Sequence, residues 1–143
     1  MPPKFSTKKI CTALFLLVLL LILPQCSSKT RDEYIEQGLS QIERNQILDA
    51  QHSFMQAIDA DPKHADGYYH LGSVFNVQEQ YQKAVEQFNI AIRIDPTHYD
   101  AHYSLGYALE QLGDKEKAEQ EYAIFKRLKA LSKKLEKNRK GSG

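Results

Sequence analysis

A 34-residue period in the chain constrains its fold more than any other feature. The pattern of large and small side chains in residues 65–98 reappears when the numbering is shifted by 34 in either direction. Such a period is typical of helical-hairpin repeats, in which each unit buries its apolar face only against its neighbours. We therefore predict three stacked hairpins, at residues 31–64, 65–98 and 99–132. The aligned sets are Tyr34, Tyr68 and His102; Gly38, Gly72 and Gly106; Ala50, Ala84 and Ala118; and Phe54, Phe88 and Tyr122.

The middle repeat predicts two helices, over about 65–78 and 81–94, because its apolar residues recur three and four positions apart. Asp95-Pro96 ends the pair, since proline lacks an amide donor and disfavours helix in the residue before it. We expect Gly72 and Ala84 to be small because two backbones approach closely there, and Phe88 to fill the space around that approach.

This pattern resembles the tetratricopeptide repeat (TPR) family. The family has a large aromatic, Leu-Gly, a second aromatic, and then Ala, Phe, Ala and Pro at fixed offsets. The middle repeat supplies Tyr68, Leu71, Gly72, Phe75, Ala84, Phe88, Ala91 and Pro96 at those offsets. The resemblance covers about 100 residues and implies an all-α fold, a right-handed superhelical solenoid of three helical hairpins.

The outer repeats depart from the pattern in ways that suit the ends of an array. Gln37 and Gln41 weaken the apolar stripe of the first repeat, which has no preceding neighbour to pack against. In the third repeat, Phe125 replaces alanine and Ala130 replaces proline, so the last helix need not stop. We predict that this helix runs from about Asp114 to Asn138 and caps the array, with residues 133–143 forming its basic end and a flexible tail.

The N-terminus predicts a targeting segment. A polar, basic start carrying Lys4, Lys8 and Lys9 precedes Ile10–Leu23, an apolar run interrupted only by Thr12. The length of this run fits the core of a secretory signal and falls short of the ~20 residues that span a bilayer. We therefore predict a signal peptide over residues 1–25.

The end of this segment resembles the lipobox of bacterial lipoproteins. Leu23 lies three residues before Cys26, and the polar stretch 26–30 suits the tether that follows the lipidated cysteine; Gln25 stands where the family has a small residue. The resemblance implies lipidation of Cys26 and anchoring to a membrane of the bacterial cell envelope, on the periplasmic side or at the outer membrane. Cleavage after Ser28, giving a secreted or periplasmic soluble protein, and an uncleaved anchor remain alternatives.

Charge is segregated along the chain. Residues 26–125 carry 8 basic and 17 acidic side chains, a net charge of −9, whereas residues 126–143 carry 8 basic side chains against Glu136. We expect the stretch 126–140 to be mainly a solvated capping helix; contact with anionic phospholipid or another acidic surface, and nucleic-acid binding, are alternatives. Export across a membrane argues against nucleic acid as a partner.

No catalytic constellation is present in the sequence. His98 and His102 lie four residues apart, but His98 occupies the loop position that His64 holds in the previous repeat. Phosphate-binding loops, nucleophile elbows and paired catalytic carboxylates are missing. We therefore predict no enzyme, cofactor, metal site or small-molecule substrate.

The TPR resemblance implies that a partner binds in the concave groove, which is lined by the first helix of each repeat. A peptide or partner helix in this groove would make the protein a non-catalytic interaction adaptor. The alternatives are a structural subunit of a larger envelope complex, a self-associating protein, and tyrosines that merely cover neighbouring helices. The stripe contains no Lys or Arg, which argues against gripping an acidic peptide tail. The implied partner-binding residues are Ile35, Leu39, Ile42, Tyr69, Ser73, Asn76, Tyr103, Tyr107 and Glu110, with Asp32, Asp66 and Asp100 beside them.

Overall fold

The computed structural model describes residues 29–141, and these form six α-helices without any strand. The first helices of the three hairpins begin at Arg31, Ala65 and Tyr99, one repeat period apart, and the predicted all-α repeat fold is confirmed. The predicted signal peptide and Cys26 lie outside the described residues. The helices are α1 (Arg31–Glu43), α2 (Ile47–Ala60), α3 (Ala65–Val77), α4 (Tyr81–Ile94), α5 (Tyr99–Gln111) and α6 (Lys115–Gly141).

The first helix of each hairpin begins at a side chain that accepts a hydrogen bond from the first turn. Thr30 forms a capping box on α1: its hydroxyl accepts from the Glu33 amide, while the Glu33 carboxylate accepts from the Thr30 amide at 2.7 Å. The Thr30 amide also lowers the pKa of Glu33, because it stabilises the carboxylate. His64 and His98 take the same position before α3 and α5.

The turns inside the three hairpins use one backbone conformation. Asn45, Glu79 and Gly113 occupy the same position in successive repeats and have φ of 58°, 58° and 86°. This left-handed conformation ends the first helix and reverses the chain into the second. The period therefore specifies the turn as well as the packing surfaces.

Packing between the helices creates an inner and an outer layer. Each hairpin packs its two helices together, and α2 and α4 also pack against the first helix of the next hairpin. The first helices contact one another, α1 with α3 and α3 with α5, whereas no two second helices of the described chain do so. The first helices consequently line the inner face of the array, and α2 and α4 form its outer face.

Each hairpin is locked by an aromatic ring that occupies the space left by a glycine. A Cβ atom placed on Gly72 would lie 2.7 Å from Phe88 Cε1, and one on Gly38 would lie 2.5 Å from Phe54 Cε1. Phe54 and Phe88 are almost completely buried. The sequence predicts that Gly72 lets two backbones approach; the atoms nearest to it belong instead to the Phe88 ring, so the glycine makes room for a side chain.

The last helix is longer than the sequence predicts. It starts at Lys115 and continues to Gly141, past the predicted end at Asn138. Its first half packs on α5 and closes the third hairpin, but every residue from Lys129 to Gly141 is exposed. Although long, α6 is too polar to cross a bilayer, and none of the other described helices qualifies either.

The contact between Gly72 and Phe88 predicts a stability difference between two identical substitutions. Gly72→Ala should lower the free energy of unfolding by about 1–2 kcal/mol, because the new methyl group overpacks a buried ring by more than the gain in helix propensity. Gly106→Ala is the comparison: the added Cβ would lie 2.7 Å from the Tyr122 ring and 3.2 Å from the Ala118 carbonyl oxygen, but Tyr122 is only partly buried, so we expect its ring to shift at a lower cost than that of Phe88. Urea unfolding followed by circular dichroism measures both changes, and an equal or larger loss for Gly106→Ala would contradict this explanation.

Candidate functional site

The accessible part of the inner face lies mainly on α5. Tyr103 and Tyr107 are 51% and 40% exposed, and Leu39 on α1 is 42% exposed. Tyr107 lies edge-on to Tyr81, with ring centroids 6.3 Å apart, so its position is held by α4. These three side chains expose apolar surface on regular helices. Residues that anchor protein interfaces commonly have these properties.

On α3 the predicted site residues contribute to packing between repeats. The Tyr69 ring lies 4.7 Å from that of His98 and 6.2 Å from that of Phe88, centroid to centroid. Ser73 donates a hydrogen bond to the Tyr69 carbonyl at 2.9 Å, and Asn76 donates to the Ser104 carbonyl on α5. A partner can reach the edges of these side chains, but most of their surface already covers neighbouring helices.

The predicted residues of α1 differ in accessibility. Ile35 is 8% exposed and belongs to the core, so it offers little surface to a partner. Ile42 is partly buried and packs against the main apolar cluster. Of these three residues, Leu39 alone is exposed, at 42%.

Tyr103 is exposed because the array ends beside it. Its counterpart one repeat earlier, Tyr69, is covered by His98 from the start of the next hairpin. After Tyr103 no further hairpin follows in the described chain, and the aromatic rings beside it are those of Tyr122 and Phe125, with centroids 5.6 and 5.1 Å away. The same sequence position is therefore packed in one repeat and accessible in the next.

The charges on the inner face are negative. Asp66, Asp100 and Glu110 lie along α3 and α5, and no lysine or arginine stands at the predicted groove positions. Burial of the Tyr69 ring, and then the charge of Asp100, raise the pKa of the Tyr69 hydroxyl. The groove therefore favours apolar or cationic groups over anions.

The two closely spaced histidines have structural roles. His98 Nδ1 accepts a hydrogen bond from the Ala101 amide at 3.2 Å, and its Nε2 lies 3.5 Å from Asp66 Oδ1. His102 is 5% exposed, with Nδ1 2.6 Å from Glu121 Oε2 and Nε2 3.2 Å from the Pro96 carbonyl. The sequence interpretation of His98 as a plain loop residue missed that it caps α5 and joins two repeats. Within residues 29–141 no three ligand-type side chains converge on a metal position.

Glu110 is held by the last helix. The Tyr122 hydroxyl donates a hydrogen bond to Glu110 Oε2 at 2.8 Å. Burial, together with this hydrogen bond to a negative charge, raises the pKa of Tyr122 to about 12. Glu110 is thus fixed at the rim of the groove, although its side chain remains exposed.

The hydrogen bond between Tyr122 and Glu110 predicts that the Tyr122 hydroxyl ionises at a higher pH than an exposed tyrosine does. Because the pKa of Tyr122 in the folded state lies above its unfolded value of about 10, its contribution to stability is complete below pH 10 and is lost as the pH rises from 10 to about 12. NMR titration of isotope-labelled tyrosine should show one signal with that high midpoint, assigned by its loss in Tyr122→Phe. Glu110→Gln should lower the midpoint, and a wild-type midpoint near those of exposed tyrosines would contradict the assignment.

Comparisons with known proteins recognise repeats in this chain. A family profile described as "TPR repeat" matches residues 72–113, and one described as "Tetratricopeptide repeat" matches residues 100–129. No curated protein sequence matches the chain.

Solved structures show the same fold. The structure described as the second TPR of Spaghetti (RPAP3) bound to the HSP90 peptide SRMEEVD has a TM-score of 0.67 at 19% identity, covering 68% of this chain and 91% of that one. The Arabidopsis OM64 TPR domain has a TM-score of 0.66 at 21% identity, covering 68% and 81%. MamA has a TM-score of 0.68 at 25% identity, covering 73% of this chain and 61% of MamA. The chain thus contains tetratricopeptide repeat sequence from residue 72 to 129 and folds as an all-α helical repeat of that type.

Proposed function

We propose that the protein is a non-catalytic adaptor that binds a peptide or helix of a partner protein along its inner face. The observation that carries this proposal is the exposure of Tyr103 and Tyr107 on a rigid helix of the groove. Tyrosine supplies a large contact area at a low cost in conformational entropy, because it has few rotatable bonds. Leu39 extends the same surface to the first hairpin.

The chemistry of the groove indicates the kind of partner. The Spaghetti (RPAP3) repeats are bound to SRMEEVD, a peptide with an acidic end. The inner face here has Asp66, Asp100 and Glu110 and lacks a cation at the predicted groove positions, so an acidic tail would be repelled. The fitting partner is a segment with apolar side chains and neutral or positive charge.

The setting is proposed from the N-terminal sequence. Leu23 and Cys26 resemble a lipobox, and the apolar run before them resembles a secretory signal. We place the protein in the bacterial cell envelope, held at a membrane by acyl chains on Cys26, with the array presented to partners there. Each buried methylene of an acyl chain contributes about 0.8 kcal/mol to membrane attachment, so several chains hold the protein stably.

A structural subunit that associates with copies of itself or with a larger complex is the competing function. The exposed ring of Tyr103 favours it, because a following repeat would cover that position. Light scattering of residues 29–143 over a range of concentrations separates the two functions: an adaptor is a monomer, whereas a self-associating subunit forms larger species as the concentration rises.

The groove proposal predicts that Tyr107 touches the partner. A photo-crosslinking amino acid at position 107 should give a specific adduct in envelope preparations, and mass spectrometry identifies the protein attached. With that protein purified, Tyr103→Ala combined with Tyr107→Ala should weaken binding by at least tenfold, since exposed aromatic anchors at interfaces contribute more than about 1 kcal/mol each. Both side chains are exposed, so the fold should be preserved.

The outer face supplies the matched control for this experiment. Leu48 and Met55 on α2 are 75% and 48% exposed, and Leu48→Ala combined with Met55→Ala removes comparable apolar area there. These substitutions should leave binding unchanged. Equal weakening by both pairs, or an adduct formed as readily from position 48 as from position 107, would place the binding surface elsewhere.

The anchor predicts a separate result. The intact wild-type protein should carry fatty acyl mass on Cys26 and stay with membranes that are washed at about 0.5 M salt, whereas Cys26→Ser should lose the acyl mass and be released by that wash, because salt screens any remaining contact between exposed charges. Wild-type protein without acyl mass would contradict lipidation and leave the groove proposal untouched. Cys11→Ser is the control, because Cys11 lies inside the predicted signal peptide.

A further inference from the structure

The C-terminal half of α6 is an amphipathic helix that the array leaves uncovered. Leu131 and Leu135 are 52% and 60% exposed, and Leu128 is partly buried. Their spacing of three and four residues places them in one stripe along the helix. Tyr99 from the start of α5 borders the same stripe and lines a shallow groove with the three leucines.

Most of the positive charge on this helix is not neutralised by the protein. Lys140 pairs with Glu136 at 2.7 Å, and the Lys129 ammonium lies 4.8 Å from the centre of the Phe125 ring. Within residues 29–141 the remaining six cations form no ion pair. These cations are Lys126, Arg127, Lys133, Lys134, Lys137 and Arg139.

Three of these cations border the apolar stripe. Because each residue turns the helix by about 100°, Arg127 and Lys134 project to one side of the leucines, and Arg139 lies in line with them near the end of the helix. An apolar stripe bordered by long cationic side chains lets a helix lie in a membrane interface, with the leucines among the acyl chains and the cations at the headgroups. Tyr99 suits the same depth, because tyrosine combines an apolar ring with a polar tip.

We propose that residues 126–140 form a peripheral membrane-binding helix that docks on the surface of a bilayer containing anionic phospholipid. The three cations beside the stripe match a negatively charged surface, and the exposed leucines supply the apolar contact that a soluble anion would not use. This contact is separate from lipidation at Cys26 and from partner binding in the groove, and it stands or falls independently of both.

Two other occupants make different predictions. A nucleic acid would use the cations but not the leucines. A second copy of the chain would use both, by placing the basic helix against the acidic array, and would produce oligomers in the absence of lipid. The exposed leucine stripe and the positive charge of the helix together favour the bilayer over a nucleic acid or a second copy of the chain.

The test uses residues 29–143, which contain the whole described array and lack the apolar N-terminal run that would itself bind lipid. Folding is checked by circular dichroism. The protein should cosediment with vesicles of equal parts phosphatidylglycerol and phosphatidylcholine, and not with phosphatidylcholine alone. Binding should weaken strongly as salt rises from about 0.05 M to about 0.5 M, because salt screens exposed charges.

Removing the cations beside the leucine stripe tests whether they bind the anionic surface. Arg127→Gln, Lys134→Gln and Arg139→Gln combined should reduce binding about 100-fold, at about fivefold for each cation near an anionic surface. Arg44→Gln, Lys63→Gln and Arg93→Gln combined make the same change in charge at exposed positions on the array. This control should lower binding by less than about fivefold, because these side chains lie away from the docking helix. Equal losses for the two triple variants would overturn the proposal.

Insertion of the stripe is tested with a fluorescent probe. The chain contains no tryptophan, so Leu131→Trp adds a single reporter at an exposed position. Its emission should shift to shorter wavelength on anionic vesicles and be quenched by brominated acyl chains. Unchanged emission during binding, or binding to nucleic acid with the leucines dispensable, would overturn the proposal. A third result would also overturn it: the protein forms oligomers at high concentration without lipid, and the Arg127→Gln, Lys134→Gln and Arg139→Gln variant does not.

Discussion

The contact between a glycine on one helix and an aromatic ring on the next supports the rest of the structure. At Gly72 a single Cβ atom would lie 2.7 Å from the ring of Phe88, so the ring fits between the helices of that hairpin because Gly72 has no side chain. The ring, once inserted, is completely buried and fixes the position of α4. Because Gly38 and Phe54 repeat this contact in the first hairpin, successive hairpins have the same geometry and stack as an array.

Both proposed surfaces lie where the described part of the array ends. In the middle of the array each hairpin has neighbours on two sides, and Tyr69 is covered by His98 of the next unit. At the last hairpin the equivalent Tyr103 has no such cover and becomes accessible. In the same way, α6 continues past the point where the proline of the middle repeat would stop it, and Leu131 and Leu135 stay largely exposed within the described chain. Accessible apolar surface at the end of a repeat array is therefore where partners are expected.

Because charge is segregated along the chain, we propose different partners for these two surfaces. The inner face is acidic and carries tyrosines, so it favours apolar or positively charged protein segments. The end of α6 carries unpaired cations beside exposed leucines, so it favours a negatively charged surface with an apolar interior. Under the two membrane proposals the protein attaches to a bilayer at Cys26 and again through α6, and the groove binds its proposed partner there.

The sequence by itself determined the repeat length, the helix pairs and the continuation of the last helix, because each depends on spacing within about one period. It placed Gly72 where two backbones approach, and only the structure showed that Gly72 faces the Phe88 ring. The repeat pattern is clearest from residue 72 to 129, where the two tetratricopeptide family profiles match the sequence. The sequence did not distinguish covered groove residues from accessible ones: Tyr69 and Tyr103 occupy the same repeat position and differ only in whether a neighbouring hairpin lies against them. It likewise did not show that Ile35 is buried or that His98 joins two repeats. Those properties were decided by the tertiary structure, because burial depends on which surfaces meet across repeats and not on the position of a residue within one.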